Sequence, residues 1–504
     1  MLLRPNNMKK TFYITTTLPY VNAEAHMGHA VEFVRADAIA RAKKLQGFEV
    51  FFNTGTDEHG QKIFTASKLS GKSVEEYVDY YAGKFREVLP LLGVSDDIHF
   101  IRTTDSNHIE SAQAFWKLVD QNGFIYKKNY KTKYCVGCES EKTDSELKDG
   151  KCEIHPKLEI EVREEENYFF KFSLFGDKLL ELYESGRHRI VPAFRKNEVV
   201  EFVKRGLEDF SISRLKSKME WGIPVPGDGE HVMYVWFDAL VNYISTLGWP
   251  KTCFEKTCSA EHSSCEECCR PHEDLFTKFW VEGTPTQYCG KDNIRFQSVM
   301  WQAMLLASNL PPTHTVVVDG FVTGDQGIKM SKSLGNVISP IDVVNEYGTD
   351  ALRYFLLREL SSFEDSPFTM DRFKEAYNAN LANGIGNLTS RIMKMAETNI
   401  LSPVEVSDEL SAEYLNLFDT FDLGKVMDYV WSRISELDTI IQEKEPFKLI
   451  KVNKEEGENV MRTLVKKLYE IALMLTPLLP HTASMIKDLI LRNKMPSEPL
   501  FLRK

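Results

Sequence analysis

TFYITTTLPYVNAEAHMGHAVEFVRADAIARAKKLQGFEVFFNTGTDEHG, residues 11–60, is the stretch whose reading decides the fold. It opens on Thr11-Phe12-Tyr13-Ile14-Thr15-Thr16-Thr17, a β-branched and aromatic run that reads as a strand. Leu18-Pro19 turns the chain. From His29 on, Val31, Val34, Ala38, Ala42 and Leu45 recur at spacings of three and four, which predicts a helix, and Gly47 stands where it should end. Residues 48–53 read as a second strand, with Gly55-Thr56-Asp57-Glu58-His59-Gly60 as the loop after it. Strand, helix and strand in this register predict a parallel βαβ unit.

Outward from there the pattern changes near Gly123. Residues 134–166 are polar, cysteine-bearing and highly charged, as expected of an inserted module. Around Trp221-Gly222-Ile223-Pro224-Val225-Pro226 the chain turns back, and residues 234–239 and 315–318 read as further strands of the first sheet. From Asp371 onward strand signals nearly vanish and helical periods dominate, residues 461–475 among them, so that portion reads as a helix bundle. The expected fold class is α/β: a parallel sheet split by an insertion and followed by a helical part.

The bulk properties are those expected of an ordinary soluble protein. A chain of 504 residues has room for about three or four domains. With 43% hydrophobic and 27% charged residues it has ample core. The longest apolar run, near residues 471–479, is short and broken by Pro477, so no membrane association is expected. Residues 1–10 lack an apolar signal core, which predicts a cytoplasmic protein. Nine cysteines in that setting read as thiols or metal ligands rather than disulfides. A net charge of −11 argues against a non-specific nucleic-acid coat. From residue 376 on, 16 Lys and Arg stand against 18 Asp and Glu, so a nucleic-acid site there would work by placed contacts.

Two segments carry the chemistry. His26-Met27-Gly28-His29 sits at a helix start, where the spacing puts both imidazoles on one face and the helix terminus favours phosphate. Gly28 lets a nucleotide approach the backbone. Lys329-Met330-Ser331-Lys332-Ser333 is a basic loop, with Gly324 and Gly327 before it and Gly335 after. Its lysines can meet charge developing on a pyrophosphate. Each segment alone is also what capped histidines or a solvated loop would give. Cys135-x2-Cys138 and Cys152-x2-His155 have structural-zinc spacing, with three thiolates and one imidazole and no open position for water. A second cluster, Cys253, Cys258, Cys265, Cys268 and Cys269 with His262 and His272, fits no knuckle, and reads either as a second metal site or as a polar loop with incidental thiols.

In their order and context the first two segments resemble the HIGH and KMSKS signatures of class I aminoacyl-tRNA synthetases. The likeness is to the methionyl-tRNA synthetase family and covers nearly the whole chain. It is carried by Leu18-Pro19-Tyr20-Val21-Asn22, by residues 221–228 (WGIPVPGD) with Ser213-Arg214 before them, by Tyr234-Val235-Trp236-Phe237-Asp238-Ala239, and by Gly290-Lys291-Asp292 ahead of Trp301. The resemblance implies a Rossmann-type catalytic domain in two halves, residues 1–120 and 231–325, the second with a Cys-rich insertion at 251–272. A connective domain with one zinc knuckle would span 121–230, the KMSKS loop and stem-contact region 326–375, and an α-helical anticodon-binding domain 376–504.

It also implies roles. His26, His29, Lys329 and Lys332 would be catalytic. Gly28, Lys291, Asp292, Ser331 and Ser333 would bind ATP, which brings Mg²⁺. Leu18, Tyr20, Trp236, Ala239, Tyr243, Phe296, Gln297 and Trp301 would surround methionine, whose thioether suits aromatic walls, and Asp57 would hold its ammonium. Asn387, Arg391 and Phe447 would read the anticodon of tRNA(Met), amide and guanidinium on base edges and the ring by stacking. Some positions depart from the family: Gln297 for the usual histidine, Met300 for an aromatic, Phe447 for tryptophan, Asp319-Gly320 for His-Gly, and Asn293 and Leu240. The departures put the shape and pH response of the methionine pocket in question more than ATP activation. No oligonucleotide-binding domain follows the helical part, so a monomer is expected. The implied reaction is attack of the methionine carboxylate on the α-phosphate of ATP, then transfer to the tRNA terminal hydroxyl. The rival readings are another class I synthetase, for leucine, isoleucine, valine or cysteine, and a non-catalytic tRNA-binding paralogue.

Overall fold

The computed structural model describes residues 10–138, 140–142, 146–250, 274–327 and 338–504. The opening βαβ pattern folds as read: β1 is Thr11–Thr16, α1 is Met27–Leu45 and β2 is Glu49–Thr56. The helix begins two residues earlier than its apolar period suggests because His26 caps it. Gly47, just past its end, takes a φ of +85°, the left-handed conformation that favours glycine.

These strands lie in a six-stranded sheet whose order from one edge is β3 (His99–Arg102), β2, β1, Pro285–Gly290, Thr315–Asp319 and Arg189–Val191. β1 runs parallel to both β2 and Pro285–Gly290, β2 to β3, and Thr315–Asp319 to Arg189–Val191. Strands 230 residues and more apart thus share one sheet, as the split pattern predicts. The central strands are buried on both faces, which is why they read as β-branched and aromatic runs without alternation. Aromatic side chains dominate the adjoining core: Phe115 meets Phe237 edge to face with ring centroids 5.9 Å apart, and Trp301 meets Trp280 likewise at 6.2 Å.

The insertion is built on β4 (Ile125–Cys135), which runs antiparallel to Glu161–Phe170 from Ile125 opposite Phe170 to Tyr134 opposite Glu161. The Cys/His cluster sits at the far end of this ribbon.

One expected strand is a helix. Residues 234–239 do not extend the sheet; Val235–Ala239 is a short helix preceded by Tyr234 in extended conformation. The β-forming composition of the segment is overridden by tertiary demands. In a strand, Trp236 and Asp238 would share a face, whereas helical spacing puts Trp236 with Ala239 and turns Asp238 into the core, where it is fully buried.

The chain divides into two compact units. The first holds the described residues up to Glu24, Phe48–Glu87 and Asp97–Val318; the second holds Ala25–Gly47, Val88–Asp96 and Asp319–Lys504. In the second unit, helices Asn387–Asn399, Leu423–Lys444, Lys454–Leu475 and Pro480–Arg492 form the helical part that the sequence predicts. Two fully buried arginines organise it around α1. Arg35 donates to the carbonyls of Leu356, Leu360, Ser361 and Ser362 and pairs with Asp319 at 3.2 Å. Arg353 pairs with Asp37 at 2.8 Å and donates to the carbonyls of Leu92, Gly93, Pro477 and Leu478. The Asp319 departure is therefore matched by a cation on α1. Among the described residues no helix is long and apolar enough to cross a membrane.

Candidate functional site

In the first unit, the turn Leu18-Pro19-Tyr20 is laced to the loop after β2. Asp57 N–H donates to the Pro19 carbonyl at 3.0 Å, Val21 N–H donates to the Asp57 carbonyl at 3.3 Å, and Tyr20 and Asp57 form an isolated parallel bridge. The Asp57 carboxylate is buried. Beside it Tyr20 meets the Trp236 ring edge to face at 6.4 Å, and Trp236 stacks flat on Phe296 at 3.7 Å with only 5° between the planes. Gln297, fully buried, donates its amide N–H to the Tyr243 hydroxyl. Tyr243 in turn packs against Trp301 at 6.0 Å, and Leu18 and Ala239 are buried. The structure thus brings Tyr20 to Asp57, and joins Tyr20, Trp236 and Phe296 in one aromatic chain and Gln297, Tyr243 and Trp301 in another. Trp236 Nε1, Trp301 Nε1 and Gln297 Oε1 are buried with no hydrogen-bond partner among the described residues. A glutamine in place of histidine leaves this wall without a titrating group at position 297. Of the other departures, Leu240 is core and Met300 packs at the core's margin.

Lys291 and Asp292 start a short 3₁₀ turn immediately after Pro285–Gly290. A Cβ at Gly290 would lie 2.9 Å from Asp292 Oδ1, so the glycine is what allows that carboxylate to fold back over the strand end. The Asn293 amide lies 3.5 Å from the same oxygen.

In the second unit, His26 and His29 form a reciprocal cap at the start of α1. Gly28 N–H donates to His26 Nδ1 at 3.1 Å, and His26 N–H donates to His29 Nδ1 at 3.2 Å. The rings stack at 3.7 Å with 17° between planes. The capping that the sequence allows is present. Because each Nδ1 accepts, the proton of each neutral ring sits on Nε2. Desolvation and the neighbouring His26 hold the His29 pKa well below the ordinary histidine value, so His29 presents a neutral N–H donor at pH 7. A Cβ at Gly28 would lie 2.9 Å from His26 Cε1 and would displace that ring. Lys329, Ser331, Lys332 and Ser333 lie outside the described residues, as does the cluster from Cys253 to Cys269 with His262 and His272.

The sulfur and nitrogen donors of Cys135, Cys138, Cys152 and His155 all lie within 4.8 Å of one another, and the group could hold a metal ion. Cys138 Sγ is 3.4 Å from Cys152 Sγ and 3.2 Å from His155 Nδ1, and Cys135 Sγ is 3.9 Å from that nitrogen. A tetrahedral ion with bonds of about 2.3 Å to sulfur and 2.0–2.1 Å to nitrogen needs donor separations of roughly 3.5–3.8 Å, a range that the separations of 3.2, 3.4 and 3.9 Å bracket. Burial pushes the Cys138 thiol up to about 12, a cost that a bound dication removes. Gly137 is required here, since a Cβ would lie 2.5 Å from the His155 ring.

On the helix Asn387–Asn399, Asn387 is exposed and Arg391 half-buried, one turn apart on the same side. Arg391 pairs with Asp438 at 2.9 Å. Phe447, on Pro446–Val452, is 46% exposed, as a ring that stacks on a partner must be.

The family model described as tRNA synthetases class I (M) matches residues 12–152 and 137–393. A methionine–tRNA ligase of Caldanaerobacter subterraneus subsp. tengcongensis is 38% identical over 491 residues, 94% of this chain and 73% of that relative. One from Rhizobium meliloti is 37% identical over 95% of this chain and 91% of its own. The crystal structure of Mycobacterium tuberculosis methionyl-tRNA synthetase bound by methionyl-adenylate superposes with a TM-score of 0.84 at 33% identity, covering 95% of this chain and 94% of that one. The chain belongs to the methionyl-tRNA synthetases. As a methionine–tRNA ligase it carries the class I parallel sheet and a helical C-terminal part.

Several buried groups of this synthetase escape motif reading. Asp238 receives His59 and His108, one on each carboxylate oxygen, both at 2.8 Å. Glu58 is held bidentately by Arg102 at 2.7 and 2.8 Å and accepts from Thr56 and Thr104, both at 2.6 Å. Asp37 sits among Arg353, Arg41 and Ser95. His59 and Asp238 fall within quoted motifs, and for Asp238 a polar residue inside an apolar run was the available signal; His108 and Arg353 carry none.

Proposed function

We propose that this synthetase activates L-methionine with ATP to methionyl-adenylate and transfers the methionyl group to the 3′ end of tRNA(Met). The observation that carries the reading is Asp57, a buried carboxylate bridged to Tyr20, whose ring meets the Trp236–Phe296 stack. A carboxylate takes the substrate ammonium by a charge-assisted bond, and aromatic faces suit its polarizable thioether. Leu18, Ala239, Tyr243, Gln297 and Trp301 complete the side-chain wall. The substrate carboxylate is already ionised at neutral pH, so it attacks the α-phosphate without a general base; the bond to the bridging oxygen breaks and pyrophosphate leaves. Positioning and electrostatics must then supply the rate. His26 and His29 donate through Nε2–H to the phosphates, Gly28 allows their approach, and Lys329 and Lys332, with Ser331 and Ser333, meet the charge on the leaving group. Lys291 and Asp292 hold the nucleoside end of ATP, whose phosphates carry Mg²⁺. Asn387, Arg391 and Phe447 read the anticodon, and the chain works as a cytoplasmic monomer.

Pyrophosphate exchange into ATP tests this reading. It should depend on methionine and not on leucine, isoleucine, valine or cysteine; exchange with none of them would leave a tRNA-binding paralogue. In the same assay Phe447→Ala should leave exchange within about twofold while tRNA charging falls by about 10-fold or more, the loss of one base–aromatic stack. Unchanged charging would remove Phe447 from the anticodon site.

Zinc is the ion we assign to Cys135, Cys138, Cys152 and His155, in a structural role. The purified chain should hold one zinc through this group, and Cys138→Ser should release it and expose the end of β4 to proteolysis. A Cys138→Ser protein with unchanged zinc content would refute the assignment.

A further inference from the structure

We propose that His59, Asp238 and His108 form a buried positioning relay that sets the distance between the Asp57 carboxylate and the aromatic wall, and so selects the substrate by length. The inference rests on the reading of Asp57 as the partner of the methionine ammonium.

Asp238 and His108 are fully buried and His59 nearly so. One Asp238 oxygen lies 2.8 Å from His59 Nδ1 and the other 2.8 Å from His108 Nε2, while His108 Nδ1 lies 2.9 Å from Ser245 Oγ. Burial raises the Asp238 carboxyl, but the two histidines outweigh it and hold it below its ordinary value. An ionised carboxylate only accepts, so His59 donates to it from Nδ1 and His108 from Nε2. Each Asp238 oxygen thereby orients one ring.

The two ends of the relay reach the two halves of the methionine site. His59 stands two residues after Asp57, and its backbone N–H is directed to Asp57 Oδ1 at 3.4 Å. Between them Glu58 is pinned by the Trp221 indole, which donates to its carbonyl at 2.6 Å, and by its own N–H donating to Thr103 Oγ1 at 2.9 Å. Anchoring the His59 ring therefore fixes the N–H that aims Asp57. At the other end, Asp238 belongs to the same short helix as Trp236 and Ala239, the wall residues. A buried ionised group is weak as a stabiliser compared with apolar packing of the same volume. Its use here is geometric: ammonium site and wall move as one body.

The experiment uses the full-length enzyme with methioninol as the probe, an inhibitor that keeps the ammonium and thioether and has no carboxylate to activate. His59→Leu should raise the methioninol Ki and the methionine KM by about 10–100-fold, with the ATP KM within about twofold, and should lower the preference for methionine over ethionine. His59→Asn places an amide N–H where ring Nδ1–H was and should restore Ki to within about threefold. Asp57→Asn should raise Ki at least as far as His59→Leu. If His59→Leu does not fold, His108→Leu against His108→Gln makes the same comparison from the far end. A rise for Asp57→Asn with none for His59→Leu overturns the relay while keeping Asp57 as the ammonium partner. Equal losses for His59→Leu and His59→Asn reduce the relay to packing and overturn it too. No rise for Asp57→Asn removes the reading of Asp57, and the relay with it.

Discussion

Methionine-dependent ATP–pyrophosphate exchange should fall by about 10²–10³-fold when His29 is replaced by Ala, the usual cost of deleting one preorganised donor from developing charge. The substitution removes one Nε2–H donor directly. It also removes the acceptor of His26 N–H and the ring on which His26 stacks, so the second donor loses its support. The methionine KM should move by less than about threefold, because the ammonium and thioether contacts are made by other residues. The pH response follows from the direction of the shift. A histidine whose folded pKa is lowered is neutral at pH 7 and stays neutral as pH rises, so His29 keeps donating from about pH 6.5 upward. Exchange that fell steadily between pH 6 and 8 through loss of an imidazolium at His29 would contradict this account.

Arg353→Ala should destabilise the protein by about 3–5 kcal/mol, read from the shift of its urea unfolding midpoint. Arg353 is fully buried and its guanidinium donates to Asp37 and to four carbonyls, those of Leu92, Gly93, Pro477 and Leu478. Truncation leaves these acceptors without a donor and Asp37 short of its strongest cation. Burial pushes the Asp37 carboxyl up; Arg353, Arg41 and Ser95 together bring it below its ordinary value. In the parent protein, Asp37 therefore contributes stability above the unfolded carboxylate value of about 3.9, and that stability is lost as pH falls through the lower folded value. Without Arg353, burial prevails, the folded carboxyl rises, and keeping Asp37 ionised costs stability as pH rises. The gap between parent and variant should therefore be wide at pH 7 and shrink toward pH 4. An equal gap at both pH values would mean that the loss is packing alone.

How far the site was legible in the sequence depended on how local its causes are. The βαβ opening was legible because helical and strand periods are set by neighbours three, four or two residues away. The metal knuckle was legible because ligand spacing within a turn limits which donors can meet one ion. Residues 234–239 misled because aromatic and β-branched residues favour a strand locally, while Trp236 and Asp238 have to face different surroundings. His108 gave no signal at all: its partner Asp238 is 130 residues away, and a lone histidine in an amphipathic helix looks like any other.

By itself the sequence determined the chemistry on offer: which residues can donate to phosphate, take an ammonium, stack on a base or bind a metal, and in what order they occur. Tertiary structure alone decided their protonation and aim. The reciprocal cap puts the donor of two histidines on Nε2, Asp238 orients two imidazoles with one carboxylate, and Arg353 holds Asp37 across 316 residues of sequence. Hydrogen-bond direction and burial are properties of the assembled neighbourhood, and no local period encodes them.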